Sequence, residues 1–313
     1  MKNLLTHLQH PNSTKDYQAE DEPDAIKISE YWGRRTYQNQ KPKISFELFP
    51  PKSDSANKLL KKTHQKLSEI NPDYFSVTFG ALGLSQNDTF DTVADLSENT
   101  KIPIIPHLTC VGIDKKQVTD LLDEYIAQGV NQIMVLKGDY PKTIIKKGDF
   151  NYANEMVEFI KENYLDINIL VAAYPEKHPH SNCISTDIDF FVNKVNAGAD
   201  KAVTQYFYNI DAYLHFIEEV QKRNIDIPIT PGIMPITNYD QLIYFSKTCG
   251  AEIPAWILNK LKLYKNDLNS LKEFGEDVVS EMCLKLKDNG VSSFHFYCLN
   301  KAEPTLSIVK KIT

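Results

Sequence analysis

The chain has 313 residues, a net charge of -6 and a pI of about 5.8, and this acidic balance argues against a nucleic-acid partner, which requires clustered lysine and arginine. Its apolar runs are too short to span a membrane, and its polar beginning, MKNLLTHLQHPNSTK, lacks the apolar core of a secretory signal. Five scattered cysteines without CxxC spacing predict reduced thiols in a cytoplasmic protein rather than disulfides or a structural zinc site.

The predicted elements begin after residue 40. Residues 1–40 are polar and interrupted by proline, so we expect an N-terminal extension before a domain that covers residues 41–313. Short β-rich runs then recur along the domain, separated by segments of helical length. The eight runs span residues 43–49, 74–79, 102–109, 132–137, 168–174, 201–207, 227–233 and 292–299.

The segments between the runs have the periodicity of amphipathic helices. In DKKQVTDLLDEYIAQG and DAYLHFIEEVQKR the apolar residues fall three and four apart, and Gly129 is placed to cap the end of the first. Residues 239–289 are too long for one helix, so we expect extra helices there, one of which starts behind Pro254. Eight strand–helix units predict an α/β fold, the (β/α)8 TIM barrel. The rival, a doubly wound sheet, lacks a GxGxxG motif after its first strand.

The first run, KISFELFPPKSD, places the carboxylate of Glu47 among apolar residues and ends at two prolines. Glu47 either faces solvent from an edge strand or stands at the mouth of a pocket. In the pocket, its apolar neighbours Phe46, Leu48 and Phe49 would shift its pKa.

Polar residues collect at the carboxyl ends of the predicted strands, where the active sites of such barrels lie. Each one alone could be a packed structural residue, but the whole set is hard to assign to packing. The set comprises Glu47, Thr78, His107, Thr109, Lys137, Asp139, Tyr174, Glu176, His178, Thr204, Gln205, His295, Tyr297 and Asn300.

Several chemistries could use these residues. A metal site from His107, Asp139, His178 and His180 is disfavoured, because the HPH spacing gives poor ligand geometry. Lys137 could form a Schiff base, whereas no motif supports a serine or cysteine nucleophile. Acid chemistry from Glu47 and Asp139, with an organic cofactor for the harder step, remains.

The ordered motifs FELFPP, VTFGA, PHLTC, LKGD, VAAYPE, TQYFY, PGIMPITN, IPAW and FHFYCLN closely resemble methylenetetrahydrofolate reductase in its short bacterial form. The resemblance runs from about Lys43 to the C-terminus and implies the catalytic barrel without a regulatory domain. It also implies FAD as cofactor and NAD(P)H as reductant. The implied reaction reduces 5,10-methylenetetrahydrofolate to 5-methyltetrahydrofolate in one-carbon metabolism, in a homo-oligomer without bound metal.

The resemblance also implies residue roles. Glu47 falls on the family's general acid, which opens the folate's five-membered ring, and Asp139 falls beside both flavin and pterin. The implied substrate contacts are Asp139, Gln205, Gln241, Phe245 and Lys301. The implied flavin contacts are Thr78, His107, Lys137, Gly138, Asp139, Tyr152, Ala172, Tyr174, His178, Asp187 and Lys194.

Three positions depart from the family pattern. Lys137 replaces an arginine, and Phe190 and Asn193 stand where an asparagine and an arginine hold the adenosine-diphosphate half of FAD. We expect Phe190 to pack into the barrel and FAD to bind more loosely, unless Lys201, Arg34 or Arg35 supplies the lost cation.

A non-catalytic or flavin-independent folate- or flavin-binding barrel is the alternative function. Retention of both Glu47 and Asp139 argues against it, because binding alone would not need a buried acid.

Overall fold

Eight parallel strands close into a barrel in the computed structural model, which describes residues 41–79, 86–138, 148–179 and 181–313. Each strand pairs with the next along the chain, and the last pairs with the first, which confirms the (β/α)8 prediction. The strands are β1 (Lys43–Leu48), β2 (Tyr74–Val77), β3 (Ile104–Thr109), β4 (Gln132–Leu136), β5 (Asn168–Ala173), β6 (Lys201–Tyr206), β7 (Ile229–Ile233) and β8 (Ser293–Tyr297).

Helices alternate with these strands and cover the outside of the barrel. They are α1 (Asp54–Ser68), α2 (Gln86–Glu98), α3 (Lys115–Ala127), α4 (Ala153–Asn163), α5 (Ile184–Asn196), α6 (Ile210–Gln221), α7 (Tyr239–Cys249), α8 (Ala255–Leu263), α9 (Leu268–Asp288) and α10 (Thr305–Ile312). Three of them, α7, α8 and α9, lie between β7 and β8, where extra helices were expected. Helix α8 begins directly behind Pro254, as predicted.

Local signals in the sequence explain where the helices begin and end. Asp114 and Gln117 form a reciprocal capping box at the start of α3, so two backbone N–H groups that lack helical partners are satisfied. After the last turn of α3, Gly129 adopts a φ of 84°, a left-handed conformation that glycine reaches without steric cost. The predicted cap at Gly129 is therefore confirmed.

Alternation along the strands separates two cores. In β1, Ile44, Phe46 and Leu48 point outward and are buried in a large core with the helices. A smaller apolar cluster fills the barrel interior from β2 to β6; it consists of Tyr74, Ile105, Met134, Leu170 and Val203. Because Glu47 alternates with Phe46 and Leu48, it points into this interior. A closed barrel has no edge strand, so the edge-strand alternative for Glu47 is wrong.

The segment after β8 is fastened to the segment after β1. The amide of Asn300 both donates to the Phe49 carbonyl oxygen at 2.8 Å and accepts from the Phe49 backbone N–H at 3.0 Å. The Cys298 thiol donates to the carbonyl oxygen of Glu47 at 3.1 Å. These bonds hold the backbone of Glu47 at the carboxyl end of the barrel, which we call the rim.

All five cysteines are free thiols, as predicted from their spacing. Among the described residues, no helix is both long enough and apolar enough to cross a bilayer. The predicted N-terminal extension, residues 1–40, lies outside the described residues.

Candidate active site

Glu47 lies near the end of β1 with its side chain 16% exposed, and its Oε2 atom is 3.8 Å from Nε2 of His107 on β3. Strands β1 and β3 are not neighbours, so the two side chains meet across the barrel interior. Burial raises the pKa of Glu47 to about 8 and lowers the pKa of His107 to about 3. Near neutral pH, Glu47 therefore carries a proton and His107 does not.

The physical cause of the Glu47 shift differs from the predicted one. The flanking side chains of Phe46 and Leu48 face the outer core, on the opposite side of the strand. It is the barrel interior that removes the Glu47 carboxyl group from water, and this desolvation raises its pKa.

A hydroxyl–imidazole network lies beneath Glu47. The buried His295 on β8 shares a hydrogen bond of 2.8 Å between its Nδ1 atom and Oγ of Ser45, and its Nε2 atom lies 3.5 Å from Oγ of Ser76. The ring of Tyr74 stacks on His295 with centroids 5.5 Å apart. Burial first, and the charge of His107 second, lower the pKa of His295 to about 3.

Sequence reasoning missed Ser45 and Ser76 and gave His295 no role. The available signal was the spacing of two along the strand: Ser45 precedes Glu47 by two residues, so both side chains face the barrel interior. Ser76 is aligned with Glu47 in the neighbouring strand β2.

Predicted flavin contacts between β5 and α5 come together at the rim. Asp187 accepts hydrogen bonds from the backbone N–H of His178 at 2.9 Å and from the Ser181 hydroxyl at 3.0 Å. The rings of His178 and Tyr174 meet edge to face, with centroids 4.7 Å apart. Asp187 therefore fixes the loop that carries both aromatic rings.

Lys194 lies under the same loop. Its ammonium group donates to the carbonyl oxygen of Ala172 and lies 6.0 Å from the centroid of the Tyr174 ring. Burial lowers the pKa of Lys194 to about 8, and the negative charge of Asp187 opposes that shift. Five predicted flavin contacts, Ala172, Tyr174, His178, Asp187 and Lys194, thus form one connected group.

The ends of β2, β3 and β4 offer unsatisfied polar atoms and a glycine packed closely against Thr109. Among the described residues, the buried Oγ1 of Thr78 and Nε2 of His107 have no hydrogen-bond partner. Gly138 follows β4 with a φ of 80°, and a Cβ atom added there would lie 2.9 Å from Cβ of Thr109. Only glycine therefore fits this position without strain or a clash.

Lys137, Tyr152 and Phe190 form an exposed group beside this region. The Lys137 ammonium lies 4.9 Å from the Tyr152 ring centroid, and the rings of Tyr152 and Phe190 lie 6.5 Å apart at an angle of 14°. The prediction that Phe190 packs into the barrel is wrong, since it is 50% exposed. Ile188 and Phe191 occupy the buried face of α5 instead.

The predicted substrate contacts are spread around the rim. Gln205, the penultimate residue of β6, lines a small pocket together with Tyr174, Tyr206 and Cys249, so it adjoins the predicted flavin contact Tyr174. Gln241, Phe245 and Lys301 do not line this pocket. The Gln241 backbone N–H donates to its cap Asn238, Phe245 packs on the outer core and adjoins Tyr244, and the Lys301 backbone N–H donates to the Cys298 carbonyl.

A larger pocket opens at the other end of the barrel, where β7 and β8 begin. It is lined by residues that include Tyr213, Pro228, Gly290 and Ser292. This position is far from the strand ends that carry Glu47 and His107, so the larger pocket does not belong to the candidate active site.

Several residues predicted for the site lie either outside the described residues or away from the rim. Asp139 and His180, like Arg34 and Arg35, lie outside the described residues. Over the part of the chain that is described, no cluster of three histidine, cysteine, aspartate or glutamate side chains could hold a metal. Lys201 begins β6 at the opposite end of the barrel and donates to Gln132 at 3.1 Å. Lys201 as a replacement cation at the rim is therefore wrong.

Comparisons with known proteins identify the family of this chain. The family profile described as "Methylenetetrahydrofolate reductase" matches residues 33–313. A "5,10-methylenetetrahydrofolate reductase" of Buchnera aphidicola subsp. Schizaphis graminum is 38% identical over 270 residues, covering 86% of this chain and 91% of the relative. The protein of that name from Escherichia coli K12 is 33% identical over 265 residues, covering 85% and 88%.

A plant relative and a solved structure extend the comparison. "Methylenetetrahydrofolate reductase (NADH) 1" of Arabidopsis thaliana is 30% identical over 283 residues, covering 86% of this chain and 48% of the relative. A solved Clostridium thermocellum protein, described as binding two copies of 5-methyl-5,6,7,8-tetrahydrofolic acid, shares the fold. Its TM-score is 0.63 at 16% identity, with 89% of this chain and 97% of that chain covered.

Proposed function

The chain belongs to the methylenetetrahydrofolate reductase family, and we propose that it is a flavin-dependent enzyme that reduces 5,10-methylenetetrahydrofolate to 5-methyltetrahydrofolate with NAD(P)H. The observation that carries this proposal is the Glu47 carboxyl group, which is buried at the rim and has a pKa of about 8. A carboxyl group that is protonated near neutral pH, and whose pKa lies close to that pH, is suited to general acid catalysis.

The site has features that suit FAD. Thr78 Oγ1 and His107 Nε2, which have no partner among the described residues, offer polar contacts, and Gly138 lets the chain after β4 pack against Thr109. When bound, FAD supplies hydride acceptance from the nicotinamide and hydride donation to the folate. The residues proposed to hold it are Thr78, His107, Lys137, Gly138, Asp139, Tyr152, Ala172, Tyr174, His178, Asp187 and Lys194.

Glu47 has the proton-transfer role in this proposal. Its carboxyl group donates a proton to a nitrogen of the folate's five-membered ring, the ring opens, and a reactive iminium cation results. His107 stays uncharged beside it, with a pKa of about 3, and so offers no positive charge that would promote early loss of the proton. In this proposal, Glu47 therefore keeps its proton until substrate arrives.

Other residues position the folate or stabilise its charge. We propose that the Gln205 amide, near the end of β6 and beside the proposed flavin contact Tyr174, binds the pterin. Gln241, Phe245 and Lys301 supply further substrate contacts around the rim. The Asp139 carboxylate, assigned by family resemblance, stabilises the iminium cation electrostatically.

We also propose where the reaction belongs. The tetrahydrofolate named for the Clostridium thermocellum neighbour and the NADH named for the Arabidopsis relative are of the expected substrate and reductant classes. The product would supply one-carbon metabolism and methionine synthesis in the cytoplasm. Assembly as a homo-oligomer stays a prediction.

The test begins with the visible absorbance of the purified protein, which should show flavin bands. NAD(P)H oxidation is then measured twice, with a quinone as acceptor and with methylenetetrahydrofolate. Activity with both acceptors is expected. Flavin with quinone activity but no folate reduction would contradict the proposed substrate. Folate or flavin binding without NAD(P)H oxidation would favour a non-catalytic binding barrel.

A further inference from the structure

Two large aromatic side chains stand half in solvent beside the proposed flavin site. Tyr152, which precedes α4, is 51% exposed, and Phe190 in α5 is 50% exposed. They come from separate segments of the chain, and their rings lie nearly parallel, at 14°, with centroids 6.5 Å apart. Leaving two neighbouring aromatic rings open to water forgoes apolar burial, so these rings have surface available for a ligand.

The chemistry of the pair suits a flat heterocycle. Aromatic faces stack on nucleic-acid bases, and this stacking is strong without requiring specific hydrogen bonds. The Lys137 ammonium, 4.9 Å from the Tyr152 ring centroid, adds a positive charge beside the rings. An aromatic surface next to a cation is the combination that binds a purine attached to phosphate.

The position of Phe190 on α5 connects it to the proposed cofactor contacts. Asp187, Phe190 and Lys194 are spaced three and four residues apart, so they follow one stripe of the helix. Asp187 fixes the loop that carries Tyr174 and His178, and Lys194 donates to Ala172 beneath it. Phe190 therefore lies between two proposed flavin-binding residues.

We propose that Phe190, together with Tyr152, is the adenine-stacking site of this enzyme. The inference rests on the proposed flavin dependence and deepens it. In this chain, dinucleotide affinity then depends on an aromatic ring at position 190.

The experiment compares two flavins that differ in the adenine. Dissociation constants of FAD and FMN are measured by flavin fluorescence for the wild-type apoprotein and for Phe190→Leu, which keeps apolar bulk but removes the ring. FAD should bind about tenfold more weakly to Phe190→Leu, in line with the loss of one base–aromatic stack. FMN, which lacks adenine, should change by less than about twofold.

Two further variants guard against indirect effects. Phe190→Trp keeps a ring and should retain FAD affinity within about twofold. Trp256→Leu removes an exposed aromatic ring on α8, which is 61% exposed, and should leave both flavins unaffected. Thermal unfolding of the apoproteins checks that each variant is folded.

The outcomes separate the two proposals. An unchanged FAD affinity in folded Phe190→Leu, or equal losses for FAD and FMN, would overturn adenine stacking and leave the proposed function intact. A wild-type protein that binds neither flavin would overturn both.

Discussion

The Nε2 atom of His107 lies 3.8 Å from Oε2 of Glu47, and burial keeps both groups uncharged near neutral pH. This arrangement differs from an ion pair, in which the histidine charge would pull the carboxyl pKa down. The neutral pair preserves the proton on Glu47. His107 Nε2 is also left without a hydrogen-bond partner among the described atoms.

Replacing the acid at position 47 should block folate reduction and leave NAD(P)H oxidation intact. Glu47→Gln should still bind flavin and oxidise NAD(P)H with a quinone, because neither step uses the proton. Methylenetetrahydrofolate reduction should fall by at least ~100-fold, the usual scale for loss of a general acid. Steady-state assays with the two acceptors measure the split. Near-normal folate reduction in the variant would remove Glu47 from the mechanism.

The same substitution should change how stability depends on pH. The pKa of Glu47 rises from 4.5 to about 8 on folding, so between these values the native state binds more protons than the unfolded state. The free energy of unfolding contributed by Glu47 therefore falls as pH rises through that window. Glutamine does not titrate, so Glu47→Gln should gain stability relative to wild type from pH 5 to pH 9, by about 1 kcal/mol or more.

Urea unfolding of both apoproteins at several pH values tests this. Taking the difference between the two proteins cancels the contributions of His107 and His295, whose lowered pKa values act in the opposite direction at lower pH. A stability difference that does not vary with pH would show that the Glu47 pKa is not raised.

Asp139 should tune the flavin through its charge. A carboxylate near the ring disfavours a negatively charged reduced flavin and favours the cationic folate intermediate. Asp139→Asn should therefore raise the flavin midpoint potential and slow folate reduction. Potentiometric titration and rapid-mixing kinetics measure the two effects. If the potential and folate turnover both stayed at wild-type values, the assignment of Asp139 would be wrong.

Gly138 should be needed both for its backbone conformation and for its packing against Thr109, which together shape the chain between the proposed flavin contacts Lys137 and Asp139. Gly138→Ala must place a Cβ atom 2.9 Å from the Thr109 side chain at a φ of 80°, and it should lose stability and flavin affinity. Gly129→Ala is the matched control, because Gly129 has a φ of 84° and nothing within 4 Å of the added atom. It should lose about 1 kcal/mol of stability and keep its flavin. Equal flavin affinity in the two variants would contradict the proposed place of Gly138 in the flavin site.

A cation added to α5 should tighten FAD. Asn193 is exposed, so Asn193→Arg can be accommodated, and we expect the FAD dissociation constant to fall about tenfold at low salt. Gln128→Arg adds the same charge at the exposed cap that follows α3, at the other end of the barrel, and should have no effect. If native FAD is already subnanomolar and the arginine changes nothing, another group already supplies the cation.

The sequence predicted the strand–helix order because its signals are local. Period-two and helical patterns, a cap such as Gly129 and the proline before α8 each act over a few residues. All eight strands therefore fell within two residues of their predicted starts. Glu47 was also placed at the strand end, because the two prolines mark that end.

Other features depend on contacts that local patterns do not encode. Ser45 and His295 meet through barrel closure, at a sequence separation of 250 residues. Phe190 and Phe191 are consecutive residues of α5, and only the rotation of the helix about its axis decides which of the two rings is buried. Consecutive residues differ by about 100°, so Phe191 turned inward and Phe190 outward. Because the amino-acid sequence of the segment fits either rotation, it did not predict which phenylalanine would be exposed.

The bonds between the segments after β1 and β8 have a consequence for folding. Phe49 pairs with Asn300, and the Glu47 carbonyl oxygen with Cys298, each across 251 residues. Closing so long a loop costs conformational entropy before the contacts that stabilise it have formed. Long-range closure of this kind therefore slows folding. The surroundings of Glu47 form only when β8 joins β1. A partly folded intermediate without β8 would leave that carboxyl group hydrated, ionised and unable to donate a proton.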